Sequence, residues 1–200
     1  MIKTVIFDIG GVLIDFTESQ YLAYLRKKEL PKVSQLELEE FMFPLIVLME
    51  YGTLTVPELE RMMGKHFNHG KLNMHWVQGW RAIAKPKREV IGLLNKLAET
   101  YNVVLLSNVS QSRFAEMERM IFPLLHKKTK VYASCFIRMR KPSPHIYQYT
   151  LKKLKAKPGE TVFIDNQIEN VIGAEKEGIH AVWFRGYKQL VKDLEKLKVL

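Results

Sequence analysis

Thr4-Val5-Ile6-Phe7 is a continuous run of β-branched and aromatic residues. It predicts a buried strand, which Gly10-Gly11 ends in a sharp turn. The pattern then becomes helical. Leu22, Leu25 and Leu30 recur at helical spacing until Pro31 closes the element, and Ser34 with Glu37 makes a capping box for a second helix running toward Tyr51-Gly52. Thr55-Val56-Pro57-Glu58 supplies the cap residue and early proline of a third helix continuing to His66. Asn68-His69-Gly70 reads as a turn, and Trp76, Trp80 and Ile83 mark a fourth helix reaching Lys85-Pro86.

From Arg88 onward helices and strands alternate. The expected helices are 90–99, 113–121, 145–154, 168–177 and 188–197, and the expected strands are 103–106, 131–136, 162–164 and 181–184. Strands separated by helices of this length imply a parallel sheet covered on both faces. The fold class is therefore α/β, a three-layer, Rossmann-like core built from residues 1–15 and 85–200 and interrupted by a helical insertion over 16–84. No internal repeat or low-complexity tract is visible.

A chain of 200 residues with 47% hydrophobic content can bury a substantial core. No stretch approaches the roughly 18 consecutive apolar residues of a membrane span, and the first residues lack the pattern of a secretory signal, so a cytoplasmic protein without a membrane partner is expected. The single cysteine, Cys135, excludes an internal disulfide and reads as a small buried hydrophobe. A formal charge of +10 favours anionic partners. Its lysines and arginines are scattered over several helices and loops with no interleaved aromatic surface, which speaks against nucleic acid and reads mostly as solvated faces. Oligomeric state is left open.

Four polar clusters fall at expected strand ends, where α/β sheets bind ligands. Asp8 follows the first strand, Ser107-Asn108 follows Leu105-Leu106, Arg140-Lys141-Pro142 precedes the helix near His145, and Asp165-Asn166 follows Phe163-Ile164 with Glu169 four residues after Asp165. Together they amount to a carboxylate nucleophile, a hydroxyl donor, a fixed ammonium and a second acid along one rim. Each has a plainer reading. Asp8 suits a turn, Ser107-Asn108 a helix cap, Lys141 a solvated loop, and Glu169 the first turn of a helix, where a negative charge meets the dipole.

The order and spacing of these clusters resemble the haloacid dehalogenase-like hydrolase superfamily over essentially the whole chain. The matching motifs are Phe7-Asp8-Ile9-Gly10-Gly11-Val12-Leu13, Leu106-Ser107-Asn108, Lys141-Pro142, and Phe163-Ile164-Asp165 with Glu169. The glycine-rich first motif is most similar to the sugar-phosphatase branch, and the insertion is similar to that family's helical-bundle cap. The resemblance implies a Mg²⁺-dependent phosphomonoesterase acting on a small phosphate ester such as a sugar phosphate. In it Asp8 forms an aspartyl-phosphate, and Asp8, the carbonyl of Gly10 and Asp165 hold the metal. Ser107, Asn108 and Lys141 then bind the transferring phosphoryl group, with Glu169 and Asn166 behind them.

Two positions depart from the family pattern. Gly10 replaces an aspartate that serves as general acid, which predicts a preference for good leaving groups, and Asn166 replaces an acid that often follows the first aspartate of the fourth motif. These departures keep open a non-catalytic descendant that binds phosphate or protein. A dehalogenase is a further alternative, with no use for a metal-binding acid. His66, His69 and His75 lack the spacing of a zinc site. Trp76 and Trp80 read as a helical core stripe, and Met42, Met49, Met62 and Met63 as packing within the insertion.

Overall fold

A computed structural model of the chain describes residues 1–70, 72 and 75–200. Its main sheet has five strands: β1 (Thr4–Phe7), β4 (Asn102–Ser107), β5 (Lys130–Ala133), β6 (Thr161–Asp165) and β7 (His180–Trp183). They run parallel in the order β5-β4-β1-β6-β7, which puts the wholly buried β1 at the centre.

Strand periodicity divides the core into two layers. Ile6, Val104, Leu106 and Phe163 face one side, where they pack with Ile146, Tyr147 and Leu151 of α8 (Pro144–Leu154) and Ala174 of α9 (Ile168–Lys176). Val5, Phe7, Leu105 and Ile164 face the other, against Val90 and Leu94 of α5 (Arg88–Leu97), Met117 of α6 (Gln111–Met120) and Leu190 and Leu194 of α10 (Tyr187–Lys196). Sheet and two helical layers make the expected three-layer α/β fold.

Between β1 and α5 the chain forms α1 (Glu18–Glu29), α2 (Gln35–Glu50), α3 (Val56–His66) and α4 (Trp76–Ile83), none of which joins the sheet. Local chemistry sets their starts. The hydroxyls of Thr17 and Ser34 accept from the backbone N–H groups of Gln20 and Glu37, and the Glu58 carboxylate accepts from the Thr55 N–H at 2.8 Å. Two short strands enclose this helical segment: β2 (Ile14–Asp15) pairs antiparallel with β3 (Lys85–Pro86). The N–H and Nζ of Lys87 donate to the carbonyls of Leu13 and Gly11, fastening the base of the segment to the turn after β1.

Two local expectations need correction. The strand expected over 131–136 stops at Ala133, and Ser134–Ile137 forms a short helix, α7. Ser134 turns inward there, its hydroxyl donating to the Glu50 carbonyl at 2.7 Å and accepting from the Val109 N–H at 3.0 Å. Gly52 lies so near that an added β-carbon would come within 2.3 Å of the Cys135 carbonyl. Met62 is exposed rather than packed, whereas Met42, Met49 and Met63 are buried.

Candidate active site

The pairing of β1 with β4 and β6 aligns Phe7 with Leu105 and Ile164, so the residues that follow emerge along one rim. Asp8 leaves β1 there with its N–H donating to the Ile164 carbonyl at 2.9 Å, while Ser107 and Asp165 end β4 and β6. Lys141 arrives from the loop between α7 and α8. Its Nζ donates to Asp8 Oδ1 and Asp165 Oδ2, both at 2.6 Å, and the ammonium is only 1% exposed.

Two devices hold Lys141 in place. Asn108 reads its backbone from both sides, with Nδ2 donating to the Lys141 carbonyl at 2.9 Å and Oδ1 accepting from the Lys141 N–H at 2.8 Å. Gly173 of α9 comes so close that an added β-carbon would sit 2.8 Å from the Pro142 carbonyl. The Asn108 side chain, expected to donate to a phosphoryl group, is thus used in positioning Lys141. Ser107 lines the same cavity as Asp8 and Lys141.

Burial dominates the electrostatics. Desolvation pushes the Asp8 carboxyl up to about 7, with Lys141 opposing the rise and Asp165 adding to it. For Lys141, burial works against the charged form, but the two carboxylates outweigh it and the ammonium is held above its ordinary range. Such a group is costly to bury without partners, and here each charge is paired.

The fourth motif is densely hydrogen-bonded. Asp165 Oδ2 accepts from Lys141 and from Asn170 Nδ2 at 3.0 Å, and its Oδ1 accepts from the Gln167 N–H at 2.8 Å. These bonds fix the carboxylate beside Lys141, and each of its oxygens has more than one lone pair. Glu169, expected to support the site, is exposed and makes no hydrogen bond to Asp165 or Lys141; Asn170, one residue on, is 3% exposed and does the supporting. One residue is about 100° around a helix, so the phase of α9 decides between them. Asn166 lines the cavity, and its Oδ1 is buried without a hydrogen-bond partner among the described residues.

That orphaned oxygen bears on whether the rim fits a divalent cation. Asp8, Gly10 and Asn166, each carrying hard oxygen donors, line one cavity. A few such donors, with water and substrate oxygens completing the shell, is how Mg²⁺ is commonly held. No group of three or more His, Cys, Asp and Glu suited to a metal occurs among the described residues, so a carboxylate cage is not what the rim provides.

The cavity measures about 430 Å³ and runs from this rim to the inserted helices. Two ion pairs absent from the sequence expectations cross that interface. Arg113 of α6 donates through both terminal nitrogens to Glu18 of α1, the Nη2 to Oε2 contact being 2.7 Å, and stacks over Phe16 and Tyr21. Arg140 donates to Glu50, the last residue of α2, from Nε at 3.0 Å and Nη2 at 2.9 Å. Burial pushes the Glu50 carboxyl upward, with Arg140 opposing. Nothing in the sequence pattern singles out these arginines, because their partners lie far away in the chain.

A parallel α/β core with inserted helices thus brings a buried aspartate and lysine together at the carboxyl ends of its strands. A family model for haloacid dehalogenase-like hydrolases matches residues 2–178, and the chain belongs to that family. It is 26% identical over 185 residues to a D-ribitol-5-phosphate phosphatase of Bacteroides thetaiotaomicron, covering 88% of each chain. It is 25% identical over 181 residues to a sesquiterpene phosphatase of Aspergillus oryzae, covering 88% of this chain and 87% of that one. Among solved structures, a haloacid dehalogenase family enzyme of B. thetaiotaomicron in complex with magnesium and inorganic phosphate aligns with a TM-score of 0.76 at 25% identity, over 91% of this chain and 93% of that one. No helix among the described residues is long and apolar enough to cross a membrane.

Proposed function

We propose that this hydrolase is a Mg²⁺-dependent phosphomonoesterase that acts on a small phosphate ester through an aspartyl-phosphate on Asp8. The observation that carries the reading is the buried Asp8 carboxylate fixed by Lys141 at 2.6 Å on the open rim of the sheet. The two relatives named as phosphatases support the same activity.

In this reading Asp8, the Gly10 carbonyl and Asn166 Oδ1 hold the metal, while Asp165 orients Lys141. The metal, when bound, supplies charge neutralisation at the phosphoryl oxygens. A carboxylate oxygen of Asp8 attacks phosphorus and the bond from phosphorus to the alcohol oxygen breaks. Lys141, with Ser107 at its side, offsets the charge on the transferring group. No side chain at Gly10 can protonate the departing alkoxide, so that proton comes from water. Water then attacks the aspartyl-phosphate, releasing inorganic phosphate and restoring Asp8. The segment 16–84, acting as a cap on a core of 1–15 and 85–200, keeps bulk solvent from the phosphoryl-enzyme.

The test is phosphate release with and without Mg²⁺ in wild type and Asp8→Asn. Expected is Mg²⁺-dependent release that falls to background in the variant while the fold persists by circular dichroism. Equal release from both proteins removes Asp8 as nucleophile. Gly10 and Asn166 favour a second reading, a phosphate-binding descendant without turnover. It takes over if wild type binds beryllofluoride with Mg²⁺ yet releases no phosphate from any monoester.

A further inference from the structure

The charge pairing on the far wall of the cavity limits what the alcohol half of the substrate can be. Four titratable side chains line the cavity between the inserted helices and the core, and they satisfy one another in two pairs, Glu18 with Arg113 and Glu50 with Arg140. A site that recognises a polyol needs buried polar groups left open for its hydroxyls. Two small hydroxyl residues, Thr17 and Ser19, also line the cavity, and the Thr17 hydroxyl already accepts from the Gln20 N–H. The larger share of the lining is apolar: Phe16, Phe43, Ile46, Val47, Trp80 and Met117, with Phe43 remaining 41% exposed on α2.

We propose that the leaving alcohol is apolar, an aryl or branched hydrocarbon group seated against Phe16, Phe43, Ile46 and Val47, and that sugar and polyol phosphates are poor substrates. This rests on the phosphatase reading above and names its substrate class. The phosphate is gripped at the Asp8 and Lys141 end, and the hydrocarbon displaces water from the α2 face. The two phosphatase relatives, one named for a pentitol phosphate and one for a sesquiterpene, place this chain between alternatives that its own wall distinguishes.

The experiment measures affinity rather than turnover, so it stays decisive if the phosphatase reading fails. Non-hydrolysable n-alkylphosphonates from ethyl to octyl, with 5-phosphonates of ribitol and of ribose, are titrated calorimetrically into the protein with Mg²⁺. Expected is an association constant that rises about fourfold per methylene until the wall is covered. The heat-capacity change should grow more negative along the series, and the polyol phosphonate should bind at least about tenfold more weakly than its alkyl counterpart of equal length. Phe43→Ser should flatten the slope of the series. A flat series, absent binding of every alkylphosphonate, or a polyol phosphonate that binds more tightly than the alkyl one overturns the inference. Failure of the phosphatase reading shows separately, as absence of phosphate release from the matching esters.

Discussion

Gly10→Asp adds a side chain that the rim leaves room for and the chemistry lacks. An ideal β-carbon at Gly10 meets no atom within 4 Å, and the backbone there lies outside the left-handed region. Its neighbour is different. Gly11 has φ +79°, and a β-carbon on it would come within 2.4 Å of the Asn166 amide. Of the two glycines, then, Gly11 is required by the turn while Gly10 is replaceable, and losing a glycine at a compatible position stabilises by about 0.4–1 kcal/mol through the unfolded chain. A positioned general acid accelerates by about 10²- to 10⁴-fold, roughly 3 to 5 kcal/mol at about 1.4 kcal/mol per decade. That gain applies to alcohols that leave poorly without a proton and scarcely to phenols. The assay is kcat for phenyl phosphate and cyclohexyl phosphate, substrates of similar size and apolarity, in wild type and Gly10→Asp. Wild type should favour phenyl phosphate strongly, and the variant should raise the cyclohexyl rate by about 10²-fold or more while changing the phenyl rate by less than about tenfold. A folded, Mg²⁺-binding variant whose cyclohexyl rate stays within about threefold of wild type would refute the argument that the missing proton donor limits this enzyme.

Asn170→Ala removes a donor to Asp165 and should lower kcat by about 10- to 100-fold with little change in the melting temperature, whereas Glu169→Gln should leave steady-state kinetics within about twofold. The reverse ranking would restore Glu169 to the site. Burial pushes the Cys135 thiol up to about 11 from its ordinary 9.0. At pH 8 this cuts the thiolate fraction about 100-fold, so alkylation by iodoacetamide should be slow in the native protein, faster as the pH rises toward 11, and rapid in denaturant. Prompt labelling of folded protein at pH 8 would contradict that burial.

How far the sequence carried the fold follows from where its signals are local. β1 was legible as Thr4–Phe7 because four consecutive β-branched or aromatic residues suit a strand buried on both faces, and α3 because Thr55, Pro57 and Glu58 form a start signal within four residues. Ser134–Phe136 read as strand because the two partners of the Ser134 hydroxyl, Glu50 and Val109, are distant in the chain. The same distinction holds at the site. Asp8, Ser107 and Asp165 were recoverable because each follows an apolar run, and Lys141 because it stands before Pro142 and the start of the helix near His145. Asn170 was not, since choosing it over Glu169 needs the rotational phase of α9. Arg113 was invisible, one arginine among many, and Arg140, though part of the third polar cluster, had no visible partner until the inserted helices supply their carboxylates.

Those arginines tie specificity to chemistry through one stretch of backbone. Arg140 binds Glu50 at the end of α2, and the next residue is Lys141, whose backbone Asn108 clamps and whose ammonium meets Asp8. Glu50 is held a second time, its carbonyl accepting from Ser134 beside the Val109 N–H, one residue beyond Asn108. The wall carrying Phe43, Ile46 and Val47 is thus fastened to the two peptide segments that place the lysine. A third ion pair, from Arg81 of α4 to the buried Glu116 of α6 at 2.6 Å, joins the inserted helices to α6 three residues along from Arg113. Breaking a partly buried pair leaves its partner desolvated and uncompensated, so loss of Glu50 strands Arg140 beside the lysine and disturbs both ends of the substrate together. Under the proposed reading, phosphoryl binding and recognition of the alcohol are coupled through Arg140-Lys141: a change made in α2 for specificity reaches Lys141 through Glu50 and Arg140, and reaches Asp8 through the Lys141 ammonium.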